Sequence, residues 1–142
     1  MTHCADADAS ERQLMGEAGY APPAIAYYQE KKYMGNLPDA DQVTLNIGSC
    51  GDVMKIYLKV DADGRIEDIR YEITGCAGAI SAAMATVDLA RGKTLDEALQ
   101  LNDGDVFKAL EGVPAKKHHC IQLAVKTLHQ GVKDYLAEQK SR

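Results

Sequence analysis

Residues 53 to 80, VMKIYLKVDADGRIEDIRYEITGCAGAI, decide how the chain folds. In the opening run Met54, Ile56, Leu58 and Val60 share one side while Lys55, Tyr57 and Lys59 share the other, which is the period-two pattern of a β-strand. Asp61 to Gly64, DADG, supplies a tight turn, and a second alternating run follows in which Ile69, Tyr71 and Ile73 lie on one face. Ile66 is out of phase with that face and predicts a β-bulge near the start of the run. Past Gly75 the period changes. Ile80, Ala83, Met84, Val87 and Ala90 recur at helical spacing until Gly92, so the hairpin passes directly into an apolar helix.

Upstream of this stretch, VTLNI alternates Val43, Leu45 and Ile47 and adds a strand, completing a three-stranded antiparallel meander. Ala24 to Met34 reads as a short helix stopped by Gly35. Residues 1 to 22 are rich in Ala, Asp, Glu and Gly without a sustained period, and read as a flexible N-terminal arm ending at Pro22-Pro23; residues 23 to 142 form the domain. Downstream, TLDE (Thr94 to Glu97) is a capping box that starts a short helix, and another turn or two of helix spans Asp103 to Leu110. Gly112 and Pro114 make EGVPAKK an irregular connection. The last helix is expected from His118 to about Ala137, its buried stripe formed by Ile121, Ala124, Val125, Leu128, Val132, Tyr135 and Leu136. Gly131 weakens that helix by about 1 kcal/mol relative to alanine, too little to end it.

The chain has 142 residues, the size of one domain, and is 46% hydrophobic and 26% charged, a globular composition. A net charge of -5 provides no basic field for phosphates, so nucleic acid is not expected as a principal partner. No apolar run approaches the roughly 20 residues that span a bilayer, and MTHCADADASER lacks the pattern of a secretory signal. A cytoplasmic location and no membrane partner are therefore expected. In a reducing compartment, Cys4, Cys50, Cys76 and Cys120 point to thiol chemistry or metal binding instead of disulfides.

Three of these cysteines fall at the ends of elements. Cys50 lies in GSCGD between the first two strands, Cys76 in TGCAGAI where the third strand passes into a helix, and Cys120 in KKHHC at the start of the last helix. A cysteine in a helix's first turn faces unpaired amides and the positive end of the dipole, so a lowered thiol pKa is expected at both Cys76 and Cys120. Asp52 can add an oxygen ligand and His119 a nitrogen. Cys50, Asp52, Cys76, His119 and Cys120 thus make a mixed sulfur, nitrogen and oxygen set. Three thiolates suit zinc or iron–sulfur chemistry, whereas a carboxylate among them is unusual for a permanent structural site. It suits a site that releases its contents. Taken singly, each residue has a plainer reading: a buried cysteine is a small core hydrophobe, a histidine at a helix start is a cap or surface residue, and Asp52 is a turn residue. The set also lacks paired CxxC spacing.

CGDVMK before a strand, GCAGAI opening a helix, GKTLDEA, and a histidine–cysteine pair opening the C-terminal helix together resemble the IscU/NifU-type iron–sulfur cluster assembly scaffolds. The resemblance is collinear from about Ala24 to the end, and the span from Cys76 to Cys120 lacks the longer insertion of the SufU branch, as in the IscU-like branch. It implies an α+β, SufE/NifU-like fold: a three-stranded antiparallel sheet packed by helices, with a long C-terminal helix. It further implies assembly of a transient [2Fe-2S] cluster and its transfer to apo iron–sulfur acceptor proteins, with sulfur arriving as persulfide from a cysteine desulfurase. By motif position Cys50, Cys76 and Cys120 would be cluster ligands and sulfur acceptors, His119 a conditional ligand and Asp52 the labile one, with Lys117 the basic residue before the histidine–cysteine pair. Zinc often occupies this site in isolated members. Where the family has Leu-Pro-Pro-Val-Lys this chain has VPAKK (Val113 to Lys117), which puts docking of an Hsp70-type chaperone in question, and His118 stands where isoleucine is common. His3 and Cys4 in the arm have no counterpart in the family pattern.

On this reading the protein is a carrier, a monomer or weak homo-oligomer, and not a turnover enzyme. The alternative is a zinc-bound sulfur-transfer activator in which Cys120 accepts persulfide from a desulfurase. A zinc hydrolase fits less well, because three thiolates leave the metal little Lewis acidity. A purely structural zinc domain would unfold without metal, and this chain's patterned apolar sequence is enough for a metal-independent core.

Overall fold

In the computed structural model, residues 3–48 and 51–140 are described, with the backbone alone for residues 3–8. The elements run α1 (His3–Ala18), α2 (Pro22–Glu30), β1 (Gln42–Ile47), β2 (Val53–Val60), β3 (Ile66–Thr74), α3 (Ala77–Ala90), α4 (Leu95–Gln100), α5 (Asp103–Leu110), a 3-10 turn (Ala115–Lys117) and α6 (His118–Lys140). The strands form one antiparallel sheet in the order β1-β2-β3. Lys59 pairs with Asp68 and Val60 with Ile66, so Glu67 is the extra residue of the expected bulge. That shift returns Ile66 to the core side, where Ile66, Ile69 and Tyr71 are all buried. The turn before β3 is tied by Asp61, whose carboxylate accepts from the amides of Asp63 (2.9 Å) and Arg65 (3.0 Å), and Gly64 takes a φ of 78°.

Met54, Ile56 and Leu58 of β2 are fully buried under the helices, each contributing about 1.5–3 kcal/mol relative to exposure. α3 is buried nearly all round. Its Ala79, Ala82, Ala83 and Ala85 are small enough for close neighbours, and α2, α5, α6 and β3 all pack against it. α6 lies across β1 and β2, and the buried Tyr71 hydroxyl of β3 donates to the Ala124 carbonyl of α6 at 2.9 Å. Ile121, Ala124, Val125, Leu128 and Val132 are buried as the helical spacing predicts, and Tyr135 and Leu136 are partly so. Both predicted capping residues of α4 act, Thr94 accepting from the Glu97 amide and Glu97 from the Thr94 amide.

Some boundaries differ from the expected ones. α2 begins at Pro22, because a proline in the first turn forfeits no hydrogen bond. It ends at Glu30 and not at Met34, since Lys31 turns into the left-handed region (φ 46°) while its amide still bonds to Tyr27. α6 continues to Lys140. Over the expected arm lies α1, and Met15 near its end and Tyr20 just after it are buried in the core. Among the described residues no helix is long and apolar enough to cross a membrane.

Candidate metal centre

Three connections converge at one end of the sheet. β3 passes into α3 through Gly75 and Cys76, with Cys76 as the N-cap residue in an extended conformation. The 3-10 turn feeds α6, whose third residue is the fully buried Cys120. Asp52 sits in the loop between β1 and β2, its carbonyl accepting from the Gly48 amide at 2.7 Å. Because α3 and α6 pack together, the Cys76 and Cys120 sulfurs approach to 3.8 Å. The Asp52 carboxylate oxygen Oδ2 lies 3.9 Å from the Cys76 sulfur and 3.8 Å from that of Cys120, and His119 Nε2 lies 3.5 Å from the latter. The ligand atoms of Asp52, His119 and Cys120 all fall within 4.8 Å of one another.

These spacings suit donors arranged around a metal. Two thiolates bound tetrahedrally at about 2.3 Å would have their sulfurs about 3.8 Å apart, and the observed separation is 3.8 Å. Gly75 lets the carboxylate in, since a β-carbon there would stand 2.7 Å from Asp52 Oδ1. Cys50, the remaining member of the expected set, lies outside the described residues, as do the side chains of His3 and Cys4. His119 faces Cys120, whereas His118 packs edge-on against Phe107, ring centroids 5.1 Å apart and planes at 72°.

The two thiols are electrostatically unequal. Burial raises the pKa of Cys76, but the Ala79 amide of the first turn of α3, the Lys117 ammonium and the neighbouring Cys120 outweigh it, so the net shift is downward. Lys117 is reciprocally raised by Cys76. The same lowering was expected at Cys120, and the structure overturns it. Burial, the adjacent Cys76 and the Asp52 carboxylate push Cys120 up to about 12. Lys117 favours the Cys120 thiolate as well, but the enclosure of Cys120 outweighs it.

Tyr20 is a neighbour of this site that the sequence reading did not include. Its hydroxyl would lie 3.1 Å from a β-carbon on Gly78 and Lys117 Cβ 3.3 Å from it, so both side chains press on the first turn of α3. Burial raises the phenol, and Cys76 adds to the shift. A lone tyrosine in an aperiodic stretch carries no local signal of this placement.

Comparison with known proteins follows the same outline. Archaeoglobus fulgidus "Iron-sulfur cluster assembly scaffold protein IscU 1" is 40% identical over 117 residues, covering 82% of this chain and 76% of that protein. The Escherichia coli "Iron-sulfur cluster assembly scaffold protein IscU" is 32% identical over 130 residues, covering 87% of this chain and 98% of the relative. A crystal structure from Fervidobacterium islandicum, described as a putative iron-sulfur cluster assembly scaffold protein for the SUF system, superposes with a TM-score of 0.66 at 23% identity. It covers 80% of this chain and 96% of that one, a likeness of fold. Residues 19–142 match the NifU-like N-terminal domain, and the chain belongs to that family.

Proposed function

We propose that this protein is a scaffold on which a [2Fe-2S] cluster is assembled from iron and desulfurase-derived sulfur and from which it is handed to apo-proteins. The observation that carries the reading is the meeting of Cys76, Cys120, Asp52 and His119, brought from three separate connections to within about one metal coordination sphere. The scaffold names borne by the relatives support it. Iron and sulfide are cargo here, with Cys50, Asp52, Cys76, His119 and Cys120 as the donors that hold them.

The donors divide the work by chemistry. Cys76, partly buried but shifted toward the thiolate by the Ala79 amide and Lys117, is the more acidic of the two thiols and the readier to bind iron or take sulfur. Cys120, buried and neutral in the metal-free chain, gives up its proton when a cation replaces it. Sulfur arrives as persulfide on Cys120 or Cys76: the thiolate attacks the outer sulfur of the desulfurase persulfide, and the desulfurase leaves as its own thiolate. Electrons from a redox partner then reduce the persulfide sulfur to the cluster's sulfide and free the cysteine. Asp52 offers a hard oxygen that binds soft iron weakly, so it is the ligand that lets the cluster go. The protein is accordingly a carrier, not a turnover enzyme, and its partners are a cysteine desulfurase and apo acceptors in a reducing, cytoplasmic setting.

The test is anaerobic reconstitution with ferrous iron, cysteine and a cysteine desulfurase, read by absorption and Mössbauer spectra and by transfer to an apo-ferredoxin, with Asp52→Ala in parallel. A [2Fe-2S] spectrum that decays as the ferredoxin gains its cluster, and persists longer in the variant, is the expected result. Retention of zinc with no cluster and only a persulfide on Cys120 would replace it with a sulfur-transfer role.

A further inference from the structure

Two depressions of about 650 and about 260 Å³ lie between the start of α5 and the outer side of α6, and both are lined by Asp103, Gly104 and Gln122. They form one groove. Its floor is apolar, with Ile121 and Val125 nearly buried, and Phe107, 38% exposed, stands at one end. α6 contributes His118, Gln122, Lys126, His129 and Lys133, spaced by three or four residues, as one stripe about 22 Å long. The stripe begins beside the metal centre, since His118 packs on Phe107 while the next residue, His119, lies against Cys120.

The far half of the groove is basic in a chain whose net charge is -5. Lys126 and Lys133 are exposed, and neither forms an ion pair among the described residues. His129 Nε2 is buried with no hydrogen-bond partner. Asp134, next to Lys133 in sequence, does not line the groove and has both carboxylate oxygens engaged, one accepting from Thr44 of β1 at 2.9 Å and the other from the groove residue Gln130 at 2.7 Å. Asp103 is the one acid among the described residues that line the groove.

We infer that this groove docks an acidic segment of the acceptor protein, an inference that rests on the scaffold reading. An apolar side chain of the partner packs on Phe107 over the Ile121 and Val125 floor, while its carboxylates meet Lys126 and Lys133. Because the rest of the molecule is net negative, an acidic partner is repelled from most orientations and attracted in this one. Docked along α6, it lies with one end at His119 and Cys120, within reach of the cluster.

The probe is the fluorescently labelled apo form of a [2Fe-2S] ferredoxin with an acidic surface, titrated by anisotropy into the metal-free protein. Binding of the parent should weaken about tenfold or more between about 50 and about 500 mM salt. Lys126→Glu with Lys133→Glu should lower affinity by about tenfold or more at low salt, and Lys126→Gln with Lys133→Gln by less. In cluster-loaded protein the same variants should slow transfer to subsaturating ferredoxin more than they slow cluster loss to EDTA, which needs no docking. Equal affinity of parent and variants, or salt-insensitive binding, overturns the inference. So does a change in self-association by sedimentation on charge reversal, which would make a second copy of the chain the occupant. The anisotropy arm needs no cluster, so a failure of the scaffold reading, in which the parent assembles none, is read separately.

Discussion

The sulfurs of Cys76 and Cys120 lie 3.8 Å apart across 44 residues of chain, one at the mouth of α3 and the other buried on α6. Their proximity makes them one site, and their surroundings make them different acids. Burial opposes ionisation of both and Lys117 favours it at both; the Ala79 amide and Cys120 turn the balance downward at Cys76, whereas burial, Cys76 and the Asp52 carboxylate keep Cys120 raised.

In metal-free protein, iodoacetamide should therefore modify Cys76 at a lower pH than an unperturbed thiol and Cys120 only as the pH approaches about 12. Lys117→Ala removes a cation that lowers Cys76, so the Cys76 profile should move to higher pH. The linkage has opposite signs at the two sites. The depressed Cys76 contributes stability present above the unfolded thiol pKa and lost as the pH falls through its folded value. The raised Cys120 contributes stability below the unfolded pKa that is lost as the pH rises toward about 12. Rates at each cysteine by mass spectrometry decide it. Equal pH profiles, or a Cys76 profile indifferent to Lys117→Ala, would remove the electrostatic distinction.

Asp52 reaches the thiols only because residue 75 lacks a side chain. A β-carbon at that position would sit 2.7 Å from Oδ1 and 2.9 Å from Cγ, so Gly75→Ala must displace the carboxylate. Gly75 is not among the glycines with positive φ, so the backbone accepts alanine and the fold should survive. The variant should copy Asp52→Ala, holding a reconstituted cluster longer during transfer to apo-ferredoxin. Circular dichroism establishes folding and the transfer rate measures release; a parental rate in folded Gly75→Ala would mean that Asp52 does not gate it.

Local periodicity carried most of the fold. The alternation of β2 and β3, the out-of-phase Ile66 and the stripe on α6 each correspond to an observed strand, bulge or buried face. Alternation in β1 predicts a strand but not which of its faces meets the core. Register decides that: Thr44 stands opposite Ile56, so Thr44 is buried while Val43, Leu45 and Ile47 are 43%, 53% and 67% exposed. At the centre, residue types and element ends pointed to Asp52, Cys76, His119 and Cys120 as neighbours. The thiol inequality was not legible, because it depends on how deeply α6 is covered. Tyr20 was not legible either, because only tertiary packing brings residue 20 against Gly78.

The register makes Leu45 and Ile56 a contrasting pair. Leu45→Lys places a charge on the open face of the sheet and should change stability by no more than about 0.5 kcal/mol. Ile56→Ala, on the covered face of the neighbouring strand, leaves a cavity and should cost about 2–4 kcal/mol. Urea denaturation of both variants measures the difference. A large loss from Leu45→Lys would mean that the outer face is packed in the native molecule.

Gly131 separates propensity from packing. Helix propensity alone predicts that Gly131→Ala gains about 1 kcal/mol. In the folded chain the glycine is buried where α6 crosses β2, and a β-carbon there would stand 3.1 Å from Ile56 Cγ2 and 3.2 Å from Leu58 Cδ1. The alanine variant should thus fall short of the full propensity gain, because those side chains must yield by a few tenths of an ångström. Gly131→Leu removes the ambiguity. Its larger side chain has to push α6 off the sheet or force Ile56 and Leu58 from their rotamers, at about 1–3 kcal/mol or more. Urea midpoints for the three proteins, compared at constant slope, test the argument. A leucine variant as stable as the parent would place α6 farther from β2 than the contact distances require, and the glycine would then be only a flaw in the helix.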